Sequence, residues 1–157
     1  MPILQVPKHE VACELLERAI ELYLRGDSFY SALHLGGAAE ELLSVYAREV
    51  QVTPTSRLIP AFDQMKAAIV AFSGASTPCE IKEVEKWACD RLNDAKNSVK
   101  HKRGAKDNAV TFSSREEASD VIDRAITTYF QLHAALRLPH IALIQEFDKR
   151  RHTHCPE

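Results

Sequence analysis

A chain of 157 residues, 45% hydrophobic and 27% charged, is long enough for one domain with a sizeable core and has the balance of an ordinary globule. Its 20 basic and 22 acidic side chains leave a net charge of −2, and only five glycines among abundant Ala, Leu and Glu favour helices. No apolar run approaches the roughly 20 residues that cross a bilayer, which excludes a membrane-spanning helix.

The opening Met1-Pro2-Ile3-Leu4-Gln5 has no basic region followed by an apolar core, so no signal peptide is read and the expected location is the cytoplasm. Residues 8–25 form the first predicted helix: Val11, Leu15, Ala19 and Leu22 repeat at helical spacing, Gly26 stops it, and Asp27 is placed to cap the next. The second helix covers 28–50, with Ala32, Leu35, Ala39, Leu42, Tyr46 and Val50 on one stripe. Leu33 and Phe29 lie off that stripe, so this helix is expected to be packed on several sides. Gly36-Gly37 in its middle costs roughly 1 kcal/mol per glycine relative to Ala, which implies a close neighbour.

After the linker Thr53-Pro54-Thr55-Ser56, a third helix is expected over 57–72, with Pro60 in its first turn. Thr77-Pro78-Cys79-Glu80 is a helix start: a capping hydroxyl, a proline at the first helical position and a glutamate at the third. The fourth helix runs from 78 to about 101. Gly104 to Thr111 is polar and irregular. Ser113 and Ser114, with Glu116 and Glu117, form two overlapping capping boxes for a fifth helix reaching about 136. Pro139 interrupts, and a short last helix covers about 141–149. The chain shows no repeat, no low-complexity tract and no strand signal. The expected fold is all-α: a single domain over 1–157, an antiparallel bundle of four to five main helices with a core of about 8–136 and a short C-terminal helix within about 139–150.

Cys13, Cys79, Cys89 and Cys155 include no CxxC pair, so reduced thiols are expected and no cofactor is called for. The tail His152-Thr153-His154-Cys155 holds ligand-type residues, though so short a segment rarely completes a metal shell. His34 and Glu41, seven apart on one face of the second helix, are the candidates for a small-ligand or metal site in the bundle.

The fourth helix carries the chemistry. Ile81, Val84, Ala88, Leu92, Ala95 and Val99 cluster on one side. Trp87, Asp90, Asp94, Asn97 and His101 form another line about 150° away, at the three-four spacing of a helix that meets a partner helix. That line points away from the chain's own core, and Trp87, Asp90 and Asp94 are expected to form a dimer seam. The segment Lys96-Asn97-Ser98-Val99-Lys100-His101-Lys102-Arg103, extended to Lys106, holds five cations and no carboxylate. On a mildly acidic chain this is an anion-seeking patch, with Lys100, Lys102, Arg103 and Lys106 the candidates for a nucleic-acid backbone. His101, edged by cations and carboxylates, suits proton transfer.

These residues resemble a known family. Lys96-Asn97-Ser98-Val99-Lys100-His101 is similar to the motif of HEPN-type helical bundles, an arginine and a polar residue followed by a histidine near the end of a late helix, with Lys96 in the arginine place. The segments Ala32 to Leu43 and Ile122 to Phe130 also resemble helices of small HEPN-like proteins, so the likeness covers about residues 8–136. It implies a homodimer whose motif helices meet, and a chain that serves as an interaction module with RNA as a partner. In catalytic members it implies metal-independent endoribonuclease activity of the toxin type, with a cognate antitoxin protein as a further partner. His101, Asn97 and Lys96 are the residues carried over, as proton carrier, orienting amide and charge partner. Lysine cannot present arginine's planar fork.

Overall fold

The structure, a computed structural model, describes residues 5–152. It is an all-helical bundle: α1 Lys8–Arg25, α2 Phe29–Glu49, α3 Ala61–Ser73, α4 Pro78–Lys100, α5 Ser114–Leu136 and α6 Leu143–His152, with one small hairpin, β1 Gln51–Thr53 and β2 Ser56–Arg57. α2 is the central rod. It packs most extensively on α1 and α5, α6 closes against α1, and α3 with α4 forms a hairpin laid on α2 and α5. Short links join α1 to α2 and α3 to α4, which sets each pair antiparallel.

The core follows from the spacing. Leu16, Ala19 and Ile20 of α1, Leu33, Ala39 and Leu43 of α2, and Val121, Ile122, Ala125 and Tyr129 of α5 are all buried. The buried residues of α2, Glu40 and Ser44 among them, share one broad face; Leu35, Leu42 and Tyr46 beside it are half-buried, and His34, Glu41 and Val45 point outward. Gly36 lets α2 and α5 approach closely: a Cβ there would come within 3.1 Å of Ile122 Cγ1, which would have to give by a few tenths of an ångström. α1 ends as expected at Gly26, whose φ of 73° is left-handed and whose N–H donates to the Leu22 and Tyr23 carbonyls.

Four local expectations are corrected. A strand pair exists: Thr53 and Ser56 hydroxyls lie 2.6 Å apart across the turn, and a hairpin of this length is too short to show a period of two. α3 therefore begins at Ala61, after an extended Pro60, and not at residue 57. Asp27 caps nothing; Ser28 is the N-cap residue, and its hydroxyl bonds the Ser31 hydroxyl at 2.7 Å, leaving the helix N–H groups uncapped by a side chain. At α5 one serine does the capping: Ser113 Oγ accepts from the Glu116 N–H at 3.4 Å.

The start of α4 is as the sequence foretells. Thr77 Oγ1 accepts from the Glu80 N–H, and the Glu80 carboxylate accepts from the Thr77 and Ser76 N–H groups at 2.9 and 3.0 Å. Those donors, Thr77 first, pull the exposed Glu80 carboxyl down from its usual range to about 2. A depressed carboxylate contributes stability above its unfolded pKa and loses it as pH falls through the folded one. The cap is therefore expected to hold until the pH falls through about 2, with a carboxyl NMR titration of Glu80 centred there; Glu80→Gln, which keeps the box, should remove that acid dependence.

Candidate functional site

α4 is fixed to the bundle by few residues. Ala88, Ala95 and Lys96 are buried, and Leu92 and Val99 are half-buried beside them. The opposite line points outward. Trp87 is 59% exposed, and Asp90, Asp94 and His101 are exposed as well. Asn97 departs from that line: it is half-buried and faces a recess of about 370 Å³ between α2, α3 and α4.

Lys96 is the largest departure from expectation. It does not join the outer cation stripe but is 1% exposed. Its ammonium donates to Glu40 Oε2 at 2.7 Å and lies 5.5 Å from the centre of the Phe62 ring. The other oxygen of Glu40 accepts from Arg124 Nε at 2.5 Å, so one buried carboxylate on α2 joins a buried lysine on α4 to a buried arginine on α5. Gly37 makes room for this: a Cβ there would stand 2.7 Å from Lys96 Cδ.

The far end of the Lys96 stem is pinned by Glu40, so it cannot swing aside. Gly37→Ala is expected to lose about 1–2 kcal/mol. The overpacking cost of roughly 1–3 kcal/mol exceeds the helix gain of roughly 0.5–1. A shift of the urea midpoint to lower concentration would show it, and a shift to higher concentration would contradict it.

The remaining cations stand outside. Lys100 is half-buried and its ammonium is 3.4 Å from Glu41, which also lies 3.6 Å from Lys96. α4 ends there. His101 is extended at φ −133° and ψ 134°, with its N–H bonded to the Asn97 carbonyl at 3.0 Å. Arg103 lies 3.9 Å from Asp94, and its backbone N–H donates to Asp107 at 2.6 Å. Lys102 and Lys106 are exposed and, among the described residues, lack a carboxylate within 4 Å. His101, Lys100 and Lys102 border a second recess of about 600 Å³, floored by Tyr30 and the loop at Asn108 to Val110. Within one chain, then, Lys96 and Asn97 open on one recess and His101 on another, and the Glu41–Lys100 ion pair stands between them.

His34 and Glu41 are both exposed, and Glu41 turns to the two lysines while His34 lies beside Tyr30 and Val99. Among the described residues no three His, Cys, Asp or Glu side chains gather as a metal would need. The tail His152 to Cys155 falls outside the described side chains. Cys13 is buried, which pushes its thiol up to about 11, whereas Cys79 is exposed. No helix among the described residues is long and apolar enough to cross a membrane.

Sequence reasoning missed Glu40 and Arg124. The signal was present: each is a charged residue on an otherwise small or apolar stripe, Glu40 among Leu33, Gly36, Gly37 and Ala47, and Arg124 among Val121, Ala125 and Thr128. Comparison with known proteins gives no match to a family model, to a curated protein or to a solved structure.

Proposed function

We propose that this chain is a HEPN-like helical bundle that pairs with a second copy along the outer face of α4 and engages RNA at the basic end of that helix. The observation that carries the reading is an indole 59% exposed in line with Asp90, Asp94 and His101, on a helix that its own bundle covers on one side only.

The charge pattern supports an antiparallel pairing. From Glu80 to Asp90 carboxylates outnumber cations, and from Arg91 to Lys106 cations outnumber carboxylates. Trp87 and His101 lie seven residues to either side of Asp94. Two copies crossing near Asp94 thus set each acidic half against a basic half and each Trp87 against the partner's His101. Arg103, 3.9 Å from Asp94 in its own chain, offsets the central carboxylate.

Lys102, Arg103 and Lys106 then remain at the two ends of the seam, turned to solvent as backbone-phosphate contacts. Contacts of about three phosphates give a slope near −2 for log affinity of single-stranded RNA against log salt, at roughly 0.7 per contact. Fluorescence anisotropy with a labelled single strand is the test. The double variant Lys102→Ala, Lys106→Ala is expected to weaken binding at least about tenfold at low salt. A salt-independent affinity, or one that the double variant leaves alone, would contradict the reading.

Metal-independent cleavage is the second reading, and the exposure of His101 at the rim of the larger recess favours it. Lys96, held by Glu40, is not free to meet a phosphorane, so that charge would fall to Lys100, Lys102 or the partner copy. Cleavage by this route is expected to disappear in His101→Ala and to persist in EDTA.

A further inference from the structure

The smaller recess contains a polar atom that the fold does not use. Ser44 is 4% exposed, lines the recess, and its hydroxyl has no hydrogen-bond partner. A buried hydroxyl left unpaired costs about 1–3 kcal/mol, which a well-packed helix has no reason to carry unless something else pairs with it. Two more groups around it are unspent. The Asn97 side chain bonds to no other described residue, and Asn93 uses its NH2 on the Cys89 carbonyl at 2.9 Å, leaving its own carbonyl oxygen open.

The charges around the recess are matched. Lys96 meets Glu40 and Glu41, and Arg48 meets Asp63 through two bonds of 2.7 and 3.1 Å. A matched wall attracts neither a free anion nor a free cation. Phe62 and Val45 supply the apolar surface. The volume of about 370 Å³ lies at the small end of ligand sites, room for one ring system with its substituents.

We propose that this recess receives a single unpaired nucleobase, its ring against Phe62 and Val45 and its hydrogen-bonding edge read by Ser44, Asn93 and Asn97. Donors and acceptors on one wall with apolar surface on another are what a splayed-out base requires. The inference rests on the RNA-binding reading. Glu41 lines this recess and its ion-pair partner Lys100 lines the one at the basic end of α4, so a strand held at Lys102 would pass beside that pair to deliver a base.

The test titrates the full chain with the four ribonucleosides, with a single-stranded RNA, and with the same strand carrying abasic residues. Ser44→Ala removes the hydroxyl without disturbing the helix, and Val45→Trp fills the mouth from an exposed position. The intact strand is expected to bind about tenfold tighter than the abasic one, and both variants are expected to erase that difference, as the loss of one or two buried hydrogen bonds implies. Equal, salt-dependent binding of intact and abasic strands would overturn the base site and leave the RNA reading standing. Nucleoside binding lost in Ser44→Ala, with no affinity for either strand, would uphold the site as one for a free nucleoside and overturn the RNA reading. No binding of any of them would overturn both.

Discussion

Glu40→Ala is expected to cost about 3–5 kcal/mol, the largest loss of any single substitution considered for this chain. The carboxylate is 1% exposed and is shared by two cations almost as deeply buried, Lys96 and Arg124. Removing it takes from Arg124 its ion-pair carboxylate and leaves Lys96 with only the longer contact to the exposed Glu41 at 3.6 Å, in a medium that solvates both charges poorly. Removing one cation is a different operation. In Lys96→Met the carboxylate keeps Arg124, the methionine occupies the lysine stem's path over Gly37, and the loss is expected to stay below about 1.5 kcal/mol. Urea unfolding of the two variants under identical conditions separates these cases, provided the slope is unchanged. Equal losses would mean that the three groups do not act as a cluster with one carboxylate at its centre.

If α4 pairs as proposed, Trp87→Ala is expected to raise the dissociation constant of that dimer by about 30-fold or more while leaving the fold as it is. An aromatic anchor at the centre of an interface is commonly worth about 2 kcal/mol or more, and 2 kcal/mol corresponds to roughly that factor. The side chain is 59% exposed in the single chain, so its removal opens no cavity in the core. Sedimentation equilibrium across a concentration series, with circular dichroism as the control, reads both parts. A variant that associates as the parent does would show that the indole is surface decoration.

The bundle was legible because its signals are long and redundant. The Thr77 to Glu80 start and the Gly26 stop recur in the structure, and a helix stands wherever an apolar stripe placed one, though on α2 the buried face runs through Leu33, Gly36, Glu40 and Leu43 and leaves Leu35, Leu42 and Tyr46 half-buried. The outward turn of Trp87, Asp90, Asp94 and His101 was legible for the same reason: helical geometry fixes direction once the buried stripe is known. Lys96 was not legible. It sits one position from Ala95, at the edge of the buried stripe, and a lysine at an edge goes outward unless a partner draws it in. That partner is 56 residues away on another helix, and the empty space at Gly37 that admits the lysine stem is likewise a tertiary fact. The β hairpin and the Ser28 cap were illegible for a local reason: single turns are decided by hydrogen bonds within a few residues, and several hydroxyls there could serve.

The relation between the buried cluster and the outer face is one of support. Lys96 holds α4 to α2 at the level where Asn97 turns to the recess, so the register of the outer line depends on a charge pair that never meets solvent. Loss of Glu40 is thus expected to blunt self-association as well as stability.

One cross-link tests the pairing of α4 helices most directly. Asp94→Cys, in a chain whose Cys79, Cys89 and Cys155 are replaced by serine, places a thiol where the two copies are proposed to cross. Mild oxidation is expected to convert most of the 17.6 kDa chain to a disulfide-linked dimer on a non-reducing gel, while Asp120→Cys, on α5, remains single. If Asp94→Cys stays at 17.6 kDa under conditions where its thiol is fully reactive, α4 does not meet a second copy there, and the account built on that helix is wrong.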